Sequence, residues 1–189
     1  MRRNLPGRRP VGPSVTRTAN ARLAGFTFLF YIVAGIISLS LAGYDNARAV
    51  LGILTSLSAL VLGVTLYALT RDEDPELALL ALGCRFIEAI PGDENRSALF
   101  FAIGSTIFAW LLLRGRMIPI WLARLGVLAS VLLVLLLFVQ RAGVFASMVT
   151  WSSPMTWVLW FPMLIFEVTF AFWLLIKGVA DRAAPGGRA

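Results

Sequence analysis

The chain has 189 residues, of which 59% are hydrophobic and only 14% are charged, and its mean hydropathy is +0.82. Soluble domains are about half apolar and about a quarter charged, so this composition is typical of a membrane protein. The length suits one compact bundle without a separate soluble domain.

Several functional classes are excluded by residue types that the sequence lacks. It has no His, one Cys (Cys84) and one Lys (Lys177). A His-ligated haem, a Cys/His zinc site, a His-assisted nucleophile and a disulfide within the chain are therefore not expected, and no cofactor or metal is predicted. The net charge of +7 does not indicate nucleic-acid binding, because no basic face is interleaved with aromatic residues. The basic residues flank apolar runs instead, which predicts the lipid bilayer and anionic lipid on a basic cytoplasmic side as partners.

Apolar runs divide the chain into a tail, a membrane domain and a second tail. Residues 1–20 are rich in Arg, Pro and Gly, which predicts a disordered basic cytoplasmic tail. The next part, residues 21–178, is predicted to be an all-α bundle of six transmembrane helices, and residues 179–189 a short cytoplasmic tail. The six apolar runs cover about 22–43, 47–69, 76–91, 98–113, 118–139 and 155–176.

Two of these runs allow an alternative interpretation. The third is short for a 30 Å hydrocarbon core, so a re-entrant or interfacial helix is the alternative to a full span. The first, with the "SLSLAG" that follows, faintly resembles a secretory signal cleaved after Ala42. An uncleaved first helix is preferred, because its apolar run is longer than a signal core and cleavage would leave five spans.

The basic residues predict that both termini are cytoplasmic. The side assigned to the cytoplasm carries six Arg between the N-terminus and Arg22, and then Arg71, Arg114, Arg116, Lys177, Arg182 and Arg188. The other side carries only Arg48, Arg96 and Arg141. An even number of spans with an N-in/C-in orientation agrees with this asymmetry. Tryptophans fit both interfaces, with Trp110, Trp121 and Trp173 inside and Trp151, Trp157 and Trp160 outside.

Ionisable side chains interrupt two of the apolar runs near the bilayer midplane. Counting from Pro75 at 1.5 Å per residue places Arg85 about 15 Å deep and Glu88 about 20 Å deep. Counting back from Lys177 places Glu167 about 15 Å deep. A lone charge there costs about 2.5 kcal/mol or more, so we expect the three side chains to face inward and meet.

These three residues support two interpretations. They form either a ligand, ion or proton site or a structural ion-pair staple between the third and sixth helices. One Arg against two Glu leaves one surplus negative charge, which favours the site. No nucleophile or metal-ligand set accompanies the acids, so no catalytic residue is predicted and an enzyme acting on lipid is the weakest hypothesis. Further polar residues that could line a cavity, although each alone is more often a packing hydroxyl, are Tyr31, Ser38, Ser105, Thr106 and Thr169.

Four segments, taken in order, carry a family resemblance: "ARLAGFTFLFYIVAGI", "ALGCRFIEAI", "RGRMIPIWLARLGVLASVLL" and "FEVTFAFWLLIKGV". Over about residues 21–179 the chain resembles the bacterial membrane family named domain of unknown function 4386. The family pattern of an Arg and a Glu in the third helix and a Glu opening the last apolar stretch maps onto Arg85, Glu88 and Glu167. "RGRMIP" replaces the family's RSG-I-P turn, and the loops around 43–47 and 91–97 are short. The resemblance implies six helices in the bacterial inner (plasma) membrane and no assigned activity.

Overall fold

The computed structural model describes residues 13–41, 43–143 and 153–180. Within these ranges the chain is all-helical, and each predicted run falls on one of six helices. Their bounds are α1 (Pro13–Ser40), α2 (Asp45–Thr70), α3 (Pro75–Glu88), α4 (Glu94–Arg114), α5 (Ile120–Arg141) and α6 (Pro154–Ile176). Residues 1–12 and 181–189 of the predicted tails, the alternative cleavage residue Ala42, and Trp151 lie outside the described residues.

Helix α1 starts before the predicted boundary at residue 21. It begins at Pro13, so residues 13–20 are helical and not part of a disordered tail. Proline is tolerated in the first turn of a helix, where its missing N–H has no partner to lose. Directly after this extension, Ala21 and Ala24 are both fully buried.

The six described helices form a closed ring. Each packs on its neighbours in the sequence, α6 packs on α1, and α2 also reaches α4. Phe28, Leu62, Phe108, Leu133 and Phe170 are among the side chains that fill the interior. Large apolar side chains also cover the outer faces of the ring, as a lipid-facing surface requires.

Five of the described helices are long and apolar enough to cross a membrane: α1 from Arg17 to Ser38, α2, α4, α5 and α6. These helices indicate a multi-pass membrane protein. Helix α3 has 14 residues, or about 21 Å, and is shorter than the roughly 20 residues of a full span. Its start is as predicted, with Pro75 first and the Asp74 side chain accepting a hydrogen bond from the Leu77 N–H at 3.1 Å.

Contacts between helix ends define what we call the basic end of the bundle, where α1, α3 and α5 begin and α2, α4 and α6 end. Arg114 Nη1 lies 3.1 Å from Asp74 Oδ2, and the Ala180 N–H donates to the Met117 carbonyl at 2.9 Å. The described residues at this end include seven cations, Arg17, Arg22, Arg71, Arg114, Arg116, Arg124 and Lys177, against four acids, Asp72, Glu73, Asp74 and Glu76. The opposite end carries three of each, Arg48, Arg96 and Arg141 with Asp45, Asp93 and Glu94.

Candidate functional site

Polar side chains from three helices lie at one level of the bundle. Arg85 follows the start of α3 by ten residues, Ser105 precedes the end of α4 by nine, and Glu167 precedes the end of α6 by nine. At 1.5 Å per residue, each lies about 13–15 Å from the basic end. The common level allows short hydrogen bonds where the helices are also neighbours.

Arg85 is the largest of the fully buried side chains and is 1% exposed. Its Nη1 donates to Glu88 Oε2 at 2.8 Å, one turn along the same helix, and its Nη2 donates to Ser105 Oγ on α4 at 3.0 Å. The guanidinium carbon lies 4.9 Å from the ring centre of Phe101, a cation–π contact. Arg85 also stands in the last turn of α3, where the helix dipole favours a cation.

Glu88 engages both of its carboxylate oxygens. Oε2 accepts from Arg85, and Oε1 accepts from the Tyr31 hydroxyl on α1 at 3.1 Å. Tyr31, Glu88, Arg85 and Ser105 thus form one chain of hydrogen bonds, which we call the polar network. It connects α1, α3 and α4, and pairs the buried cation with one of the two buried acids.

Two glycines let the backbone of α3 sit close to its neighbours. A Cβ at Gly63 of α2 would lie 2.9 Å from the Cβ of Arg85, closer than packed carbons come. A Cβ at Gly104 of α4 would lie 3.1 Å from the Cβ of Cys84 and 3.3 Å from the Ala81 carbonyl. Small residues permit such close helix contacts in membranes, and here they fix the position of the Arg85 stem.

Glu167 lies on α6 and is 6% exposed. Its Oε1 is buried and receives no hydrogen bond from any residue that the structure describes. The adjoining Phe166 stacks on Phe170 with ring centres 5.3 Å apart, and Phe28 meets Phe170 edge-on at 5.6 Å. The carboxyl therefore lies on an aromatic stretch of its helix without a hydrogen-bonded cation.

The predicted direct meeting of Arg85 with Glu167 is not what the structure shows. Within the described ranges the ion pair of Arg85 is with Glu88. Glu167 interacts with these two residues only by longer-range electrostatics, without an ion pair or a hydrogen bond. The reason is the ring order, because α3 and α6 are not neighbours. Aromatic side chains of α1, α4 and α6 stand between them and leave a void of about 10 Å³ beside Arg85. That is at the lower limit of the space that one water needs.

Of the remaining predicted polar residues, two belong to the polar network and three lie outside it. Tyr31 and Ser105 belong to the polar network, whereas Thr106 Oγ1 donates to the Ala102 carbonyl of its own helix at 2.8 Å. Ser38 and Thr169 are half-buried, and no hydrogen bond of the network reaches them. Phe101 and Gly104 were not among the residues predicted from the sequence. The sequence did contain a signal for Phe101, because it lies four residues before Ser105 and therefore shares a helix face with it.

The family resemblance is confirmed by comparison with family models. Residues 94–178 match the family described as "Domain of unknown function (DUF4386)". This stretch contains α4, α5 and α6, with Ser105 and Glu167, whereas Arg85 and Glu88 precede it. Comparisons with curated proteins and with solved structures find no match. The description of the matched family assigns no activity, and the five long apolar helices indicate an integral membrane protein.

Proposed function

We propose that the chain is a six-span protein of the bacterial inner membrane in which Glu167 takes up and releases a proton within the bilayer. The observation that carries the proposal is the buried Glu167 oxygen that no described group binds. Because Arg85 is already paired with Glu88, an ionised Glu167 adds an uncompensated charge near the midplane. Such a charge costs about 2.5 kcal/mol or more, and binding a proton removes it.

The packing of the interior favours a proton over a larger species. The void beside Arg85 measures about 10 Å³ and is lined mainly by aromatic and aliphatic side chains. A hydrated cation or a lipidic ligand does not fit into that space, which is at the lower limit of what a single water needs. A proton requires no cavity beyond a path of polar groups and transient waters.

The six-span topology with both termini cytoplasmic is supported by two features. Asp74 at the start of α3 pairs with Arg114 at the end of α4, so the chain leaves the basic end through α3 and returns to it through α4. Helix α3 together with residues 89–93 then crosses the bundle, although α3 alone is too short. The charge excess of the basic end favours the cytoplasm. Reporter fusions after residues 72 and 92 test this topology, and a periplasmic signal at residue 72 would contradict it.

Infrared spectroscopy tests the protonation of Glu167 directly. In nanodiscs at neutral pH, we expect a protonated-carboxyl C=O band that shifts in D2O and is absent in Glu167→Gln. The Glu88→Gln variant is the matched control and is expected to retain the band, because Glu88 is paired with Arg85. A wild-type spectrum without the band would contradict the proposal.

Proteoliposomes test whether the proton moves. An imposed pH gradient is expected to dissipate faster with the wild type than with Glu167→Gln, as followed by a pH-sensitive dye inside the vesicles. Thr169→Val on the same helix is the control and is expected to behave as the wild type. Equal rates for wild type and Glu167→Gln would exclude proton passage through this residue.

A second candidate function follows from the fact that the hydrogen-bonding atoms at the ends of Arg85 and Glu88 already have partners within the polar network. Both Glu88 oxygens and both terminal nitrogens of Arg85 bind residues of α1, α3 or α4. In this alternative the network is a structural staple and the protein acts through partner contacts. Tyr31→Phe and Ser105→Ala are then each expected to lower the free energy of unfolding by about 1 kcal/mol, with no change in proton flux.

A further inference from the structure

A cleft opens at the basic end between the turn that joins α4 to α5 and the chain that follows α6. Its volume is about 330 Å³, with Arg116 and Met117 on one wall and Trp173 and Lys177 on the other. The Ala180 N–H donates to the Met117 carbonyl at 2.9 Å and fastens the two walls together. The cleft is therefore held by the fold at the level where α6 ends.

Among the residues that the structure describes, the cleft combines two cations without an acid. No carboxylate is among its lining residues, and neither Arg116 nor Lys177 forms an ion pair with a residue in the described ranges. Arg114, two residues before Arg116, contrasts with them because it is paired with Asp74. A guanidinium and an ammonium that line one cleft are suited to a phosphate, which accepts hydrogen bonds from both.

The backbone of Arg116 ends α4 in a left-handed conformation. Its φ is +47°, and it is the one non-glycine with positive φ in the part of the chain that the structure describes. Glycine adopts this conformation without strain, whereas a side chain with a Cβ does not. The conformation belongs to the C-terminal cap of α4, in which the Met117 N–H donates to the Leu112 carbonyl at 3.1 Å and the Arg116 N–H donates to the Leu113 carbonyl at 3.2 Å, and this cap holds Arg116 at the cleft.

The surroundings favour a lipid as the source of the phosphate. Trp173 lies in the cleft one turn before Lys177, and Trp121 at the same end is 59% exposed. Tryptophans at the ends of membrane helices lie at the level of the headgroups. A phosphate that enters between Arg116 and Lys177 is thus at the depth of a phospholipid headgroup.

We propose that this cleft binds the phosphate of an anionic phospholipid, with Arg116 and Lys177 on the phosphate oxygens and Trp173 against the glycerol region. The site is separate from Glu167 and independent of the proton proposal. A free phosphate has the same chemistry, so the experiment includes it as a separate probe.

Thermal unfolding of the full chain in mixed micelles tests the site. We expect phosphatidylglycerol to raise the Tm of the wild type above its value in phosphatidylcholine. The variant Arg116→Asn/Lys177→Gln is expected to lose more than half of this rise, and Asn is chosen because it tolerates positive φ. The control Arg71→Gln/Arg124→Gln removes the same charge from exposed residues of the same end that do not line the cleft, and should retain the rise.

Each other outcome overturns the proposal. Equal losses in the two double variants would mean diffuse attraction to anionic lipid, and no loss in either would mean that the cleft is not involved. If inorganic phosphate in phosphatidylcholine micelles reproduces the rise, the cleft takes free phosphate and not lipid. Native mass spectrometry gives a second measurement that does not depend on Tm. It should detect phosphatidylglycerol retained by the wild type and by Arg116→Lys but released from Arg116→Gly.

Discussion

Removing the charge of Arg85 is expected to lower the free energy of unfolding by about 3–5 kcal/mol, because the carboxylate of Glu88 then remains buried without its cation. The side chains of Arg85 and Glu88 are 1% and 5% exposed, so water cannot replace the lost partner without opening the bundle. Arg85→Met is the suitable change, since methionine fills much of the arginine stem between α2 and α4.

Adding Glu88→Gln to Arg85→Met is expected to recover about 2–4 kcal/mol, because it removes the uncompensated charge. The amide oxygen of glutamine still accepts a hydrogen bond from Tyr31. The recovery also depends on Glu167. If Glu167 carries a proton, as proposed, the double variant has no buried charge; if it is ionised, its charge remains and little stability returns.

Reversible unfolding in mixed micelles, followed by tryptophan fluorescence as the fraction of denaturing detergent rises, measures these differences. Arg114→Gln is the control, because its pair with Asp74 has side chains 52% and 22% exposed and such pairs contribute about 0–1 kcal/mol. A loss of unfolding free energy for Arg85→Met no larger than that for Arg114→Gln would refute this expectation. A double variant less stable than Arg85→Met would likewise contradict the claim that the unpaired Glu88 carboxylate causes the loss of stability.

Three further predictions concern the backbone and the helix caps. Gly63→Ala is expected to lower the free energy of unfolding by about 1–3 kcal/mol, because its Cβ would meet Arg85, whereas Gly52→Ala on the same helix meets nothing within 4 Å and should change it by less than about 1 kcal/mol. Arg116→Gly is expected to raise the free energy of unfolding in neutral lipid by up to about 1 kcal/mol, as relief of the positive φ predicts. The backbone N–H of Arg96 holds the pKa of Asp93 below its ordinary value of 3.8, so the cap stabilises the fold above that pH and loses its effect as pH falls through the lowered pKa. An acid titration of unfolding should therefore show a smaller loss below pH 3.8 for Asp93→Asn than for the wild type.

The sequence was sufficient to locate the helices because membrane helices are marked by long apolar runs with charges and caps at their ends. The start of α3 shows this clearly: Asp74 followed by Pro75 predicts a cap and a first turn, and both are present. The common depth of Arg85, Ser105 and Glu167 in the bundle could also be predicted from the sequence, since each residue adds a fixed rise along a helix.

The contacts within that level were not accessible from the sequence. Depth counting gives the position along a helix axis but not its rotation or its neighbours, so it could not separate Ser105 from Thr106. It also paired Arg85 with Glu167 across helices that do not touch. The neighbours depend on close approaches such as those at Gly63 and Gly104, which involve partners far apart in the chain.

The short α3 with its buried arginine has a consequence for biosynthesis. A 14-residue helix that carries Arg85 near its middle is a poor substrate for insertion by itself, because the translocon disfavours a central arginine by about 2.5–3.5 kcal/mol. Helix α4 supplies the Ser105 hydroxyl for Arg85, and Arg114 at its end pairs with Asp74 at the start of α3. We therefore expect α3 to enter the membrane as one helical hairpin with α4, after enough of the chain has been synthesised to provide both helices.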